Sequence, residues 1–177
     1  NSIAYHGRII KPSGQPFDPN SATLVLQIRS TGAEDCLMWE ETYSNVDMSG
    51  TGGVFSLNLN SGTGSRTDGS GLTFAQVFGN YPTTTLTVPL ANCAGGSNTI
   101  TLTANSHRIA RLRFKDSVMP SFEQTPDMAI AYVPFSIDSQ KVGGFTPQNL
   151  LRVEDATGPQ AAAAFSPADF LELQALI

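Results

Sequence analysis

Period-two alternation, cut at short intervals by turn residues, is the feature that most narrows what this chain can become. Thr23 to Ile28 alternates without a break, with Leu24, Leu26 and Ile28 on one face and Thr23, Val25 and Gln27 on the other. Successive side chains of an extended chain point to opposite faces, so this segment predicts a half-buried antiparallel strand. Val54 to Leu59 repeats the pattern, turning Phe55, Leu57 and Leu59 inward and Ser56 and Asn58 outward. Ile3 to Ile10, Leu37 to Tyr43, Thr84 to Val88, Thr99 to Ala104, Arg108 to Phe114 and Ala129 to Ile137 also read as strands. The two prolines and the glycine of Lys11-Pro12-Ser13-Gly14-Gln15-Pro16 turn the chain after the first of these. Gly50-Thr51-Gly52-Gly53 supplies the positive φ angles expected of a hairpin connection between the third and fourth strands. Seven or eight short strands between turn clusters predict a mainly β protein, an antiparallel β-sandwich. One helix interrupts them: Thr73 is placed as a cap, and Phe74, Val77 and Phe78 share one side of a short turn that closes an end of the core.

Composition sharpens the class. Charged residues make up only 14% of the chain, alongside 16 glycines and 11 prolines. A turn-rich, weakly charged β protein of this kind is closer to secreted adhesins and fibres than to cytosolic enzymes. The net charge of −5 argues against a nucleic-acid partner. The one basic cluster, Arg108 to Arg113, places Arg111 and Arg113 on one face and Leu112 and Phe114 on the other, as in a half-exposed strand. No run is long enough to span a bilayer. Cys36 and Cys93 fit a single disulfide or two buried thiols, and the exported composition favours the bridge.

From Ser139 the character changes. Residues 1–138 form the expected β module and residues 139–165 a neck hinged at Gly143-Gly144, with one more strand possible at Leu150 to Val153. Residues 166–177 start a helix, since Ser166, Pro167 and Asp169 are strong helix-opening residues. Phe170, Leu173 and Ile177 follow at heptad-like spacing, with Leu176 on the same side. Two turns are unstable alone in water, so this helix packs on its own domain or on copies of the chain.

Residues with chemical potential are few. Glu40 and Glu41 are adjacent on a strand and point to opposite faces, which rules out a facing carboxylate pair and reads as surface charge. His6 and His107 have no Cys or His neighbour at metal-ligand spacing, and no nucleophile elbow accompanies them. Ser61-Gly62-Thr63-Gly64-Ser65-Arg66 lacks the Lys-Ser/Thr ending of a phosphate loop and reads as a flexible connection. Asp68-Gly69-Ser70 offers oxygens to calcium without the ordered acids of a calcium loop. Trp39, Tyr43, Phe78 and Tyr81 are either core or an aromatic platform for sugar rings, with core the default for Trp39 between apolar neighbours. The expectation is therefore no catalytic residue, no metal, no cofactor and no located ligand site.

Several short motifs occur in a telling order: Tyr5-His6-Gly7-Arg8-Ile9-Ile10, Ser13-Gly14-Gln15-Pro16, Cys36-Leu37-Met38-Trp39-Glu40-Glu41, Gly53-Val54-Phe55-Ser56-Leu57, Arg66-Thr67-Asp68-Gly69-Ser70-Gly71-Leu72-Thr73-Phe74, Pro126-Asp127-Met128-Ala129-Ile130-Ala131-Tyr132-Val133-Pro134-Phe135, Val142-Gly143-Gly144-Phe145 and Ser166-Pro167-Ala168-Asp169. This ordered set resembles the N-terminal module of exported, phage-tail-fibre-like adhesive proteins of predatory bacteria, over nearly the whole chain. Phe114 to Thr125 departs from the pattern, in which a more glycine-rich turn precedes the Pro-X-Met segment. The resemblance implies a homotrimer, a shaft after the module, and a fibre that touches a glycan or protein on another cell. It makes the chain a non-enzymatic adhesive module at the cell surface or outside it. The alternative from the residues themselves is a carbohydrate-binding sandwich that recognises surface glycans directly.

Overall fold

In the computed structural model the described residues are 2–80, 84–103 and 106–130. The neck, the helix with Phe170, Leu173, Leu176 and Ile177, Tyr81, and the expected strand beyond Ile130 lie outside them. The described chain is mainly β and antiparallel throughout, with ten strands, one short α-helix and one 3-10 turn. The strands are β1 (Ile3–Arg8), β2 (Ala22–Ser30), β3 (Leu37–Val46), β4 (Val54–Leu59), β5 (Ser65–Arg66), β6 (Thr84–Thr87), β7 (Thr99–Leu102), β8 (Arg108–Asp116), β9 (Glu123–Gln124) and β10 (Met128–Ile130). Helix α1 spans Phe74–Phe78, and the 3-10 turn Leu90–Asn92.

The main sheet has six strands in the order β10-β8-β2-β3-β5, with β9 also pairing β8. Two separate ribbons, β1-β4 and β6-β7, complete the β structure. Leu24, Leu26 and Ile28 of β2 lie beside Phe114, Leu112 and Ala110 of β8, and one apolar core joins them to Phe55, Leu57 and Leu59 of β4 and to Leu86, Ile100 and Leu102 of the second ribbon. Gly7 is required on β1: a Cβ there would lie 2.6 Å from the Phe55 ring directly opposite.

Two expectations need correction. Asn45 to Gly53 is no hairpin, because β4 pairs with β1 and β3 with β2 and β5. Gly50, Gly52 and Gly53 do take positive φ, but they carry the chain out of the main sheet into the first ribbon. At Gly53 a Cβ would come within 2.4 Å of the Ile9 carbonyl oxygen, so the crossover packs tightly on the chain after β1. The second correction concerns β2, which is buried on both faces: Val25 is 5% and Gln27 6% exposed. As the strand between β3 and β8 it is covered by long side chains from both neighbours, which a polar alternation cannot reveal.

Candidate functional site

The chemically promising residues gather along the outer edge of β3, where most of them hold the fold. Glu40 and Glu41 point to opposite faces, as their adjacency on a strand requires. Glu41 is not surface charge, however: it faces the core with Leu24, Leu26 and Ile28 and is 2% exposed. Its carboxyl accepts the Trp39 indole N–H at 2.9 Å, the Tyr43 hydroxyl at 2.7 Å and the Asn60 backbone N–H at 2.7 Å. A buried carboxyl needs such partners, because desolvation without hydrogen bonds costs several kcal/mol. Burial first, then the Glu41 acceptor, pushes the Tyr43 phenol well above its usual range. Trp39 and Tyr43 flank Glu41 at i−2 and i+2, so the triplet was spaced for contact on one strand face.

The segment after β4 is anchored in place of the flexible connection expected of its glycines. Arg66 donates to both oxygens of Asp68, at 2.6 and 3.0 Å, and to the Leu72 carbonyl at 2.7 Å. Its guanidinium lies 3.8 Å from the centre of the Trp39 ring, a close cation–π contact. Asp68 also accepts the backbone N–H groups of Ser70 and Glu40, and Ser70 donates its hydroxyl to the Met38 carbonyl. Asn92, at the end of the 3-10 turn, bridges the carbonyls of Leu37 and Asp68. Thr67 adds a backbone bond to the Glu40 carbonyl. From Leu37 to Thr42 the outer edge of β3 is thus satisfied by side chains, by β5 and by the Thr67 N–H, which protects that stretch from pairing with another chain. Burial raises the Asp68 carboxyl, but Arg66 and Ser70 outweigh it and bring it down to about 2. Its oxygens are engaged by the clamp, so the calcium reading of Asp68-Gly69-Ser70 has no donor set here.

The disulfide stands next to this clamp. Cys36 and Cys93 are bonded and close a separation of 57 residues, tying the residue before β3 to the end of the 3-10 turn that presents Asn92. The Glu34 carboxyl, two residues before Cys36, accepts the Ser97 N–H at 2.9 Å and reinforces the same junction.

A second arrangement, unforeseen from the sequence, is built around Arg108. Facing inward with Ala110 and Leu112, it has no exposed surface. It donates to the carbonyls of Val77 and Gly79 at the end of α1, to the His107 carbonyl and to the Asn80 side chain at 2.8 Å. Helix carbonyls at a C-terminus have no intrahelical donor, so the guanidinium supplies one. Burial pushes its pKa down to about 10, which leaves it charged at neutral pH. The start of α1 follows expectation: Thr73 caps it, and Gln76 completes a capping box.

Trp39, Tyr43 and Phe78 are buried and form no exposed sugar platform. His6 and His107 are exposed. Among the described residues no group of three His, Cys, Asp or Glu side chains is placed to hold a metal. No helix there is long and apolar enough to cross a membrane. A small cavity of about 150 Å³ lies over Phe17 and Phe114, with Lys11, Asp116 and Glu123 around it. No protein-family model, curated protein or solved structure matches the chain.

Proposed function

We propose that the chain is a non-enzymatic structural and adhesive module of an exported, homotrimeric surface fibre that attaches to another cell. In this reading the ribbons β1-β4 and β6-β7 form the second layer of a β-sandwich over the main sheet. The C-terminal segment with Phe170, Leu173, Leu176 and Ile177 begins the trimeric shaft.

The observation that carries the proposal is the use made of the side chains with chemical potential. Glu41, Asp68, Arg66 and Arg108 are each engaged in holding strands, an exposed edge or a helix end. The disulfide is compatible with an oxidising compartment and an exported protein. A protected β3 edge also suits a module that must meet other copies without open-ended strand pairing. Trimerisation would let three weak contacts act together at high effective concentration.

The test is solution mass by light scattering, on the whole chain and on a chain ending at residue 165. A trimer that becomes a folded monomer on truncation supports the proposal. Replacing Phe170, Leu173 and Ile177 by Ser should have the same effect, and a trimer that survives both changes would move the assembly contact elsewhere.

A further inference from the structure

The described arginines are partnered unequally. Arg29 is paired with Asp35, and Arg111 with both Asp35 and Asp127. Arg66 has Asp68, Arg8 donates to the Gly52 carbonyl, and Arg108 has its ring of carbonyls. Arg113 alone among the described arginines makes neither an ion pair nor a side-chain hydrogen bond. It stands two residues from Lys115 on the same half-exposed face of β8, and Lys115 is equally without a carboxylate among the described residues. In a chain of net charge −5, two neighbouring cations without an ion pair among the described residues stand out.

The pair is also held in position. Both cations lie against one ring, Phe122, with the Arg113 guanidinium 4.9 Å and the Lys115 ammonium 4.8 Å from its centre. Phe122 directly precedes β9, whose Gln124 stands opposite Arg113. On the other side β2 sets Val25 opposite Arg113 and Thr23 opposite Lys115. A cation–π contact holds a cation in place without an ion pair, so both charges remain available to an oxyanion.

We infer that Arg113 and Lys115, oriented by Phe122, form a binding site for the carboxylate of an acidic saccharide lying across the outer face of the main sheet. Arg113 and Lys115 stand half-exposed on a sheet face, which suits an extended chain better than an enclosed small molecule. One carboxylate per sugar matches a site of two cations. The choice of a saccharide rests on the adhesive reading above. The site gives that module a contact of its own with the target surface.

The experiment is titration calorimetry of the whole chain with an oligogalacturonate, a neutral dextran oligomer and an oligonucleotide of matched charge. The expected result is saturable, salt-sensitive binding of the oligogalacturonate alone. The double variant Arg113→Gln/Lys115→Gln should weaken it by about tenfold or more. Phe122→Leu, which keeps the cations and removes the ring, should give a smaller loss. Amide hydrogen exchange of β8 and β2 in each variant separates a lost site from a lost fold. Absence of binding, equal binding of the oligonucleotide, or unchanged affinity in a folded double variant would each overturn the site. None of these outcomes touches the oligomeric mass, so a failed site and a failed fibre reading remain distinguishable.

Discussion

Two arginines show how differently this fold handles a guanidinium. Arg66, at the rim, faces a carboxylate and an indole ring, and about a third of its side chain remains in water. Arg108, inside, has carbonyl oxygens and an amide for partners and no exposed surface. The rim clamp is an ion pair reinforced by neutral bonds, whereas the interior pin is a cation solvated by protein dipoles. The lesson is that burial of a charge requires acceptors, and that helix-end carbonyls can take the part of a counter-ion. The clamp responds to acid through Asp68; the pin has no carboxylate to protonate.

The comparison can be broken most severely at the pin. Arg108→Met should destabilise by about 3 kcal/mol or more, because it leaves the carbonyls of Val77 and Gly79 without their donor in the interior. Urea unfolding would measure this, and a loss below about 1 kcal/mol would mean that those carbonyls find water instead. Removing the disulfide with Cys36→Ala/Cys93→Ala should cost up to about 4 kcal/mol in the chain-entropy model. Hydrogen exchange should then rise first around Leu37 and Asp68, where Asn92 is anchored, and later around α1.

The clamp sharpens the contrast through pH. Asp68 falls from its usual value to about 2 in the folded chain. A depressed carboxyl stabilises above its unfolded pKa, so this contribution is complete above about pH 4 and is lost as pH falls through about 2. Asp68→Asn should remove about 2 kcal/mol at neutral pH and flatten the acid limb of the stability curve. An unchanged acid limb would place the acid response at another carboxyl. Arg108→Met should leave that limb's shape as it is, because a group brought down only to about 10 does not titrate in acid.

The smallest effect belongs to the start of α1. Thr73→Ala removes the cap and half of the capping box, at a cost of about 1 kcal/mol. If Arg108 holds the helix from its other end, the two changes will be coupled, and a double-mutant cycle of Thr73→Ala with Arg108→Met would show a combined loss smaller than the sum.

The local parts of this structure were legible beforehand. The alternation in Val54 to Leu59 places Phe55, Leu57 and Leu59 inward as expected, and Thr73 before Phe74, Val77 and Phe78 gave the helix and its buried side. Trp39 was read as core and is core. The candidate site was less visible. Glu41 looked like surface charge because its partners include Asn60, 19 positions away, and its face depends on which neighbour covers it. Arg108 lies 31 residues from Val77, and nothing in its own segment distinguishes it from the half-exposed Arg111 and Arg113 except its parity with Leu112.

By itself, the order of residues determined which segments extend, which side of each strand is apolar, where the helix begins and that two cysteines were available to pair. Those are consequences of backbone sterics, side-chain period and local capping, and they act within a few residues. Only the tertiary structure decided that β4 joins β1, that β2 is covered on both faces, that the glycine-rich segment clamps an edge and that two cations meet over Phe122. Strand partnership and charge compensation depend on groups brought together from distant positions, so no local pattern encodes them.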